Sequence, residues 1–328
     1  MTTQYKKSSA RIGWTRFAGL GLALTAILAL SACGKSNTEQ TACKAVKFSD
    51  VGWSDITATT GVAKFVLTGL GYEPKDQVLS VPVTYSSMKN KDIDVFLGNW
   101  MPTMENDRKA YVDDKSVEVL RANLEGAKYT LAVPEYLAEK GLKDFSDIVK
   151  FEKELKGKIY GIEAGNDGNR LISEMIKADK FGLGKFKLEE SSEQGMLSQV
   201  EKFAATKEAI VFLGWAPHPM NVKYKLVYLT GGDEVFGPNF GEAKVFTNVR
   251  ANYATECANV GKLLANLSFT VDMENELMTA ITDMKLEPMA AAKEWLKAHP
   301  EVLDTWLKDV TTIDGKPGLD AVKASLSS

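Results

Sequence analysis

The sequence predicts an α/β protein of two lobes, each a mixed sheet flanked by helices, with a ligand cleft between them. Three observations carry this expectation. The chain has 328 residues, 45% of them hydrophobic, which is ample for a buried core and long for a single one. Short runs of β-formers alternate with helix-periodic stretches, the pattern of strands joined by crossover helices. Finally, Val211-Phe212-Leu213-Gly214-Trp215-Ala216-Pro217-His218 has an echo, Val95-Phe96-Leu97-Gly98-Asn99-Trp100-Met101-Pro102. Each is a compact apolar run suited to a strand buried on both faces. Gly and Pro then punctuate it, and a Trp is delivered at its carboxyl end. Open α/β sheets place their ligands at that end of the strands.

Taken in order, residues 47–52 read as a short strand ending at Trp53-Ser54-Asp55. A helix follows over 57–70, with Val62, Phe65, Val66 and Leu70 on its inward stripe. Strands are expected over 77–83 and 95–97, so the first part is a parallel sheet with crossover helices. A charged helical stretch covers 105–118, and a strand covers 128–133. Another strand, 158–162, leads into Glu163-Ala164-Gly165-Asn166-Asp167-Gly168-Asn169, a run of turn and cap formers that opens a helix over 170–177. The amide donors of that helix start point toward the cleft. An amphipathic helix over 193–206 returns the chain to the strand at 210–213. Residues 226–229 and 243–249 are the last strands, separated by a Gly-rich passage, and the remainder is helical. The order predicts a discontinuous lobe 1 (43–127 and 225–328) with lobe 2 (128–224) inserted. Two crossings between lobes make a hinge.

The first residues stand apart from the fold. Lys6, Lys7, Arg11 and Arg16 precede an apolar or small stretch over 17–30. That stretch is too short to span a bilayer comfortably and has the form of an export signal. Leu30-Ser31-Ala32-Cys33 resembles the bacterial lipobox, so residues 1–33 are expected to be a lipoprotein signal peptide with Cys33 lipidated. Residues 34–42 read as a polar tether. Placement is then at the periplasm or the outer face of the bacterial cytoplasmic membrane, held by lipid. Forty Lys and Arg against forty-three Asp and Glu give −3. Four of the basic residues lie in 1–33, so the mature chain carries −7. An acidic chain without basic clusters argues against nucleic acid as a partner. Beyond Cys33 the cysteines are Cys43 and Cys257, an even pair in an exported protein, either a disulfide or two small buried thiols.

The chemistry gathers at aromatic residues. Trp53, Trp100, Tyr129 and Trp215 each stand at the beginning or end of a strand candidate. One such Trp is commonly core packing, the reading that suits Trp295 and Trp306 on their helices. Three Trp residues obeying one grammar point to a shared cleft. Ring faces carry negative charge density, so several around one space form a cage for a cation. A quaternary ammonium suits it best, having no N–H to satisfy. Asp55 either adds a counter-charge or caps the helix ahead of Thr57.

Asp50-Val51-Gly52-Trp53-Ser54-Asp55, Gly98-Asn99-Trp100-Met101-Pro102 and Gly214-Trp215-Ala216-Pro217-His218 together resemble the signature stretches of choline and glycine betaine substrate-binding proteins of ABC importers, the OpuAC-like family, and its choline-binding branch most. The resemblance runs over nearly the whole mature chain. It implies a periplasmic binding protein fold of type II that closes over a quaternary ammonium. Trp53, Trp100, Tyr129 and Trp215 would then form the aromatic box. Asp55 would neutralise the cation, Asn166 would contact the far end of the ligand, and Cys43 would be bridged to Cys257. It further implies choline as the ligand, with glycine betaine as the alternative, delivery to a permease and its ATPase subunit, a monomer, and no cofactor or metal. Many choline-binding members lack a lipobox, which this chain has.

An enzyme acting on a quaternary amine is the competing class. The sequence has no Gly-x-Ser-x-Gly elbow and no phosphate loop. His218 and His299 are its only histidines, little material for metal or acid–base chemistry. A structural lipoprotein, the third class, has no use for two echoing strand–Trp motifs.

Overall fold

A computed structural model describes residues 42–327; the expected signal segment, Cys33 and all but the last residue of the tether lie outside them. Nine strands form one continuous sheet in the order β2-β1-β3-β9-β4-β7-β5-β6, with β8 paired to β4. β1 (Ala45–Asp50), β2 (Glu73–Val78) and β3 (Val95–Met101) are parallel at one end. β5 (Lys158–Tyr160), β6 (Lys187–Glu189) and β7 (Phe212–Ala216) are parallel at the other. Between them run β4 (Val117–Pro134) and β9 (Glu242–Arg250), antiparallel to each other and to the strands they meet. The sheet is therefore mixed, as expected. Its parallel parts are the strands joined by helices, because a parallel return needs a crossover.

The first wing is covered by α1 (Ser54–Gly69), which packs against two later helices named below, and by α2 (Val81–Lys89). α3 (Glu105–Asp113) follows β3, α4 (Asp167–Lys177) follows β5, and α5 (Glu193–Thr206) precedes β7. α6 (Val271–Thr282) and α7 (Pro288–Ala298) are the pair laid on α1. Buried Val62, Val66 and Leu67 hold α1 in the core. Each such side chain is worth about 1.5–3 kcal/mol when removed from water. Among the described residues, no helix is long and apolar enough to cross a membrane.

Several boundaries differ from the sequence reading. α1 begins at Ser54, three residues early. The strand expected over 77–83 ends at Val78, because Val81-Pro82-Val83 opens α2 with Pro in its first turn. Proline there removes only an N–H that a helix start leaves unpaired anyway. The strand expected to start at 128 is the far half of an 18-residue strand. Gly98 and Gly214 do not stop their strands, since both strands run on through the Trp and end at the residue before proline. The glycines serve close approach instead. A Cβ on Gly98 would lie 2.7 Å from Cδ1 of Ile56, and one on Gly214 would lie 2.6 Å from Cβ of Ala132. Both following peptide bonds, Met101–Pro102 and Ala216–Pro217, are cis.

Cys43 and Cys257 are joined in a disulfide, fastening the start of β1 to a segment 214 positions later. The expected lobe boundary at 225 falls within a run of pairings to the second wing. β8 (Leu226–Tyr228) pairs Ala132–Pro134 of β4. The Thr230 N–H donates to Lys143 O, and Phe236 packs on Phe145. Trp306 is buried in the core, as its helical context suggested.

Candidate functional site

The two echoing strands belong to opposite wings, and each carries its Trp to the same space. Trp100 lies near the end of β3, opposite Val245 of β9. Trp215 lies on β7, directly across from Tyr129 of β4. The Trp100 and Tyr129 ring centroids are 5.9 Å apart, and those of Tyr129 and Trp215 are 6.4 Å apart at 74°. Trp53, at the turn from β1 into α1, closes the group. These four rings, together with Asp55 and Asn166, line one cavity. All six candidates named by the sequence are thus brought together. Ile162 and Asp167 complete the lining.

Local structure explains the positions. Trp53 is the N-cap residue of α1 but makes no side-chain capping bond, and Asp55 is the second helical residue. That excludes Asp55 as the cap ahead of Thr57. Asp55 Oδ2 instead accepts from Trp100 Nε1 at 3.0 Å, an approach made possible by the contact of Ile56 with Gly98. Its carboxylate still benefits from the positive end of α1. Trp53 Nε1 donates across the cleft to Glu163 Oε1 at 2.8 Å. Asn166 caps α4: its Oδ1 accepts from the Asn169 N–H at 3.0 Å and from the Tyr129 hydroxyl at 2.9 Å. Asn166 therefore also fixes the Tyr129 ring.

The electrostatics are those of a buried, acidic chamber. Burial, and secondarily the nearby Glu193 carboxylate, push Asp55 up to about 7. Burial likewise raises Asp167 to about 7, raises Glu163, and raises the Tyr129 hydroxyl well above its usual value. Asp55 Oδ1 and Asp167 Oδ2 are both buried without a hydrogen-bond partner. An unpartnered buried carboxylate oxygen is costly unless something else supplies the complement. Among the described residues, no Lys or Arg lines the cavity. Four π faces and two acids can therefore hold a cation, with the rings stripping its water and the acids supplying charge.

Asp167 was hidden from sequence reasoning inside a run that reads as turn and cap formers. Its only signal was its place beside Asn166, at the opening of a helix aimed into the cleft.

A chamber of this kind between two wings joined by two long strands defines a ligand-binding protein of the two-lobed periplasmic type. The chain belongs to the family described as the substrate-binding domain of ABC-type glycine betaine transport systems, whose model matches residues 44–298. It is 60% identical to a solved ABC-transporter choline-binding protein in complex with choline. That match covers 87% of this chain and 99% of that one, with a TM-score of 0.86. An ABC-transporter choline-binding protein in an unliganded semi-closed conformation is also 60% identical over 88% and 100% of the two chains, with a TM-score of 0.81. The glycine betaine/carnitine transport binding protein GbuC of Listeria monocytogenes serotype 1/2a (strain 10403S) is 29% identical over 157 residues, 48% of this chain and 51% of that protein. Substrate-binding proteins of ABC importers are extracytoplasmic.

Proposed function

We propose that this protein captures choline in the aromatic chamber and hands it to the permease of an ABC importer, without chemical turnover. The carrying observation is the lining itself: Trp53, Trp100, Tyr129 and Trp215 with Asp55 and Asp167, and no basic side chain. The trimethylammonium head sits among the rings with Asp55 as its counter-charge, and Asn166 and Asp167 face the hydroxyl end. The 60% identity to a choline-bound binding protein supports the same reading.

Glycine betaine differs from choline by carrying a carboxylate. At an effective dielectric near 20, opposite charges about 4 Å apart gain roughly 4 kcal/mol before desolvation. A second carboxylate cancels part of that gain, and a chamber holding two acids offers it no basic partner. Choline is expected to bind more tightly than betaine, and Asp55→Asn to weaken choline strongly while weakening betaine less. Isothermal titration of both ligands decides this; betaine binding as tight as choline in the wild type sinks the assignment. The pH arm has a definite sign. A cation favours the ionised form of Asp55, whose value burial raises to about 7. Choline affinity is therefore full above pH 7 and falls roughly tenfold per unit well below it. Asp55→Asn flattens that part of the slope.

The pairing of β8 with β4, and of β9 with β4, supports a return from lobe 2 to lobe 1 near Glu242, at the start of β9, with β4 and β9 as the hinge strands. Lobe 1 is then 43–127 with 242–328. The protein works as a monomer, held by lipid on Cys33. One acyl chain binds a membrane only marginally, so stable attachment requires several. Cys33→Ser is expected to shift the protein from the membrane to the soluble or unprocessed fraction. An unmodified mature N-terminus downstream of Cys33 in the wild type, read by mass spectrometry, excludes the anchor.

A further inference from the structure

Glu193 lies outside the chamber, yet it is one of few acids buried almost completely, at 2% exposure. It is the first residue of α5, a helix whose own N-cap role is filled by Ser192, which accepts from the Gly195 N–H. Its carboxylate is thus free to act elsewhere. It reaches the other wing, where Oε2 accepts from the Ser54 N–H at 3.0 Å and Oε1 from the Ser54 hydroxyl at 2.6 Å. His218, which follows the second Trp motif, completes the arrangement. Its Nδ1 accepts from the Met220 N–H at 3.0 Å, so its proton sits on Nε2, 3.3 Å from Glu193 Oε1.

Ser54 is the first residue of α1, and its N–H is among those a helix cannot satisfy internally. Local sequence provides no side-chain cap, because that position is Trp53. The cap is supplied instead by a carboxylate 139 positions away, across the cleft. Ser54 stands between Trp53 and Asp55, two residues of the chamber.

We propose that Glu193 is a positioning residue for ligand capture: by capping α1 from the opposite lobe only when the cleft is shut, it fixes Trp53 and Asp55 around the ligand and sets the lifetime of the closed complex. The ligand part rests on the choline reading above. A bound cation also offsets the repulsion between Glu193 and Asp55 that closure imposes, so filling and closing favour each other.

The test uses the full chain with spin labels on the exposed Lys75 and Lys187 positions, near the two ends of the sheet. The closed fraction is read by inter-label distance with and without choline, and dissociation by stopped-flow tryptophan fluorescence. Glu193→Ala is expected to lower the closed fraction and speed choline release by about tenfold or more, with association changed less than threefold. Glu193→Gln should retain only part of the wild-type lifetime, because an amide supplies one acceptor where two are used. Ser54→Ala removes the shortest bond with minimal change of shape. It should speed release several-fold, and less than additively with Glu193→Ala. Should Glu193→Ala fail to fold, Ser54→Ala and Glu193→Gln carry the same readouts. A closed fraction unchanged by these variants overturns the proposal, as does a wild type that never shuts. A wild type that ignores choline, but whose closed fraction still depends on Glu193, overturns the ligand assignment and leaves the cap standing.

Discussion

Trp100→Ala is expected to weaken choline binding by about two to three and a half orders of magnitude. A desolvated ring contributes about 2 kcal/mol to a cation in its face. The same indole is the hydrogen-bond donor to Asp55 Oδ2, and Asp55 Oδ1 already lacks a partner. Removing the ring leaves both oxygens of a buried carboxylate unpartnered, a further cost of about 1–3 kcal/mol. At 1.4 kcal/mol per factor of ten, the two losses give the stated range. Trp100→Phe keeps a ring face but no N–H, so it should fall between the wild type and Trp100→Ala. Truncating a buried Trp also costs about 3–5 kcal/mol of stability, so thermal unfolding is followed alongside isothermal titration. A folded Trp100→Ala protein that binds within tenfold of the wild type would remove Trp100 from the site.

Loss of the Cys43–Cys257 bridge should be the largest single effect on stability. In the chain-entropy model, a link between residues 214 positions apart destabilises the unfolded state by about 5 kcal/mol, and removing native disulfides costs about 2–5 kcal/mol in practice. The bridge holds Cys43 just before β1, and β1 is the strand on which both β2 and β3 pair. Freeing it therefore loosens the wing that presents Trp53 and Asp55. The paired substitution of Cys43 and Cys257 by serine, compared with the wild type in denaturant titrations, measures the effect. Unfolding free energies equal within 1 kcal/mol would show that the bridge adds nothing to the fold.

The legible parts of the site were those with a local signature. Trp100 and Trp215 share an apolar run, a glycine and a following proline, and Trp53 sits in a short strand exit. Each could be placed at a strand end without knowing its partners. A helix with a complete amphipathic face was legible too, and 193–206 was bounded correctly. The ends of α1 and α2 were not, because Ser54-Asp55-Ile56 and Val81-Pro82-Val83 carry β-formers and turn formers in their first turns. Glycine misled in one respect. Gly98 and Gly214 look like strand stops, whereas their use is to admit Ile56 and Ala132. Such crowding from distant residues leaves no mark on the neighbouring sequence.

By itself the sequence determined which residues could cage a cation, because aromatic identity, strand-end position and the scarcity of histidine are local or compositional properties. It also determined the order of strands and helices, hence the parallel crossovers. Only the tertiary structure decided that Asp55 bonds Trp100 rather than capping a helix, that Asp167 joins the chamber, and that Glu193 caps α1 from the far side of the cleft. These are contacts between groups 45 to 139 positions apart. Burial decides their chemistry: the same carboxyls would titrate in the usual acidic range in water, and it is their removal from water that raises Asp55 and Asp167 to about 7.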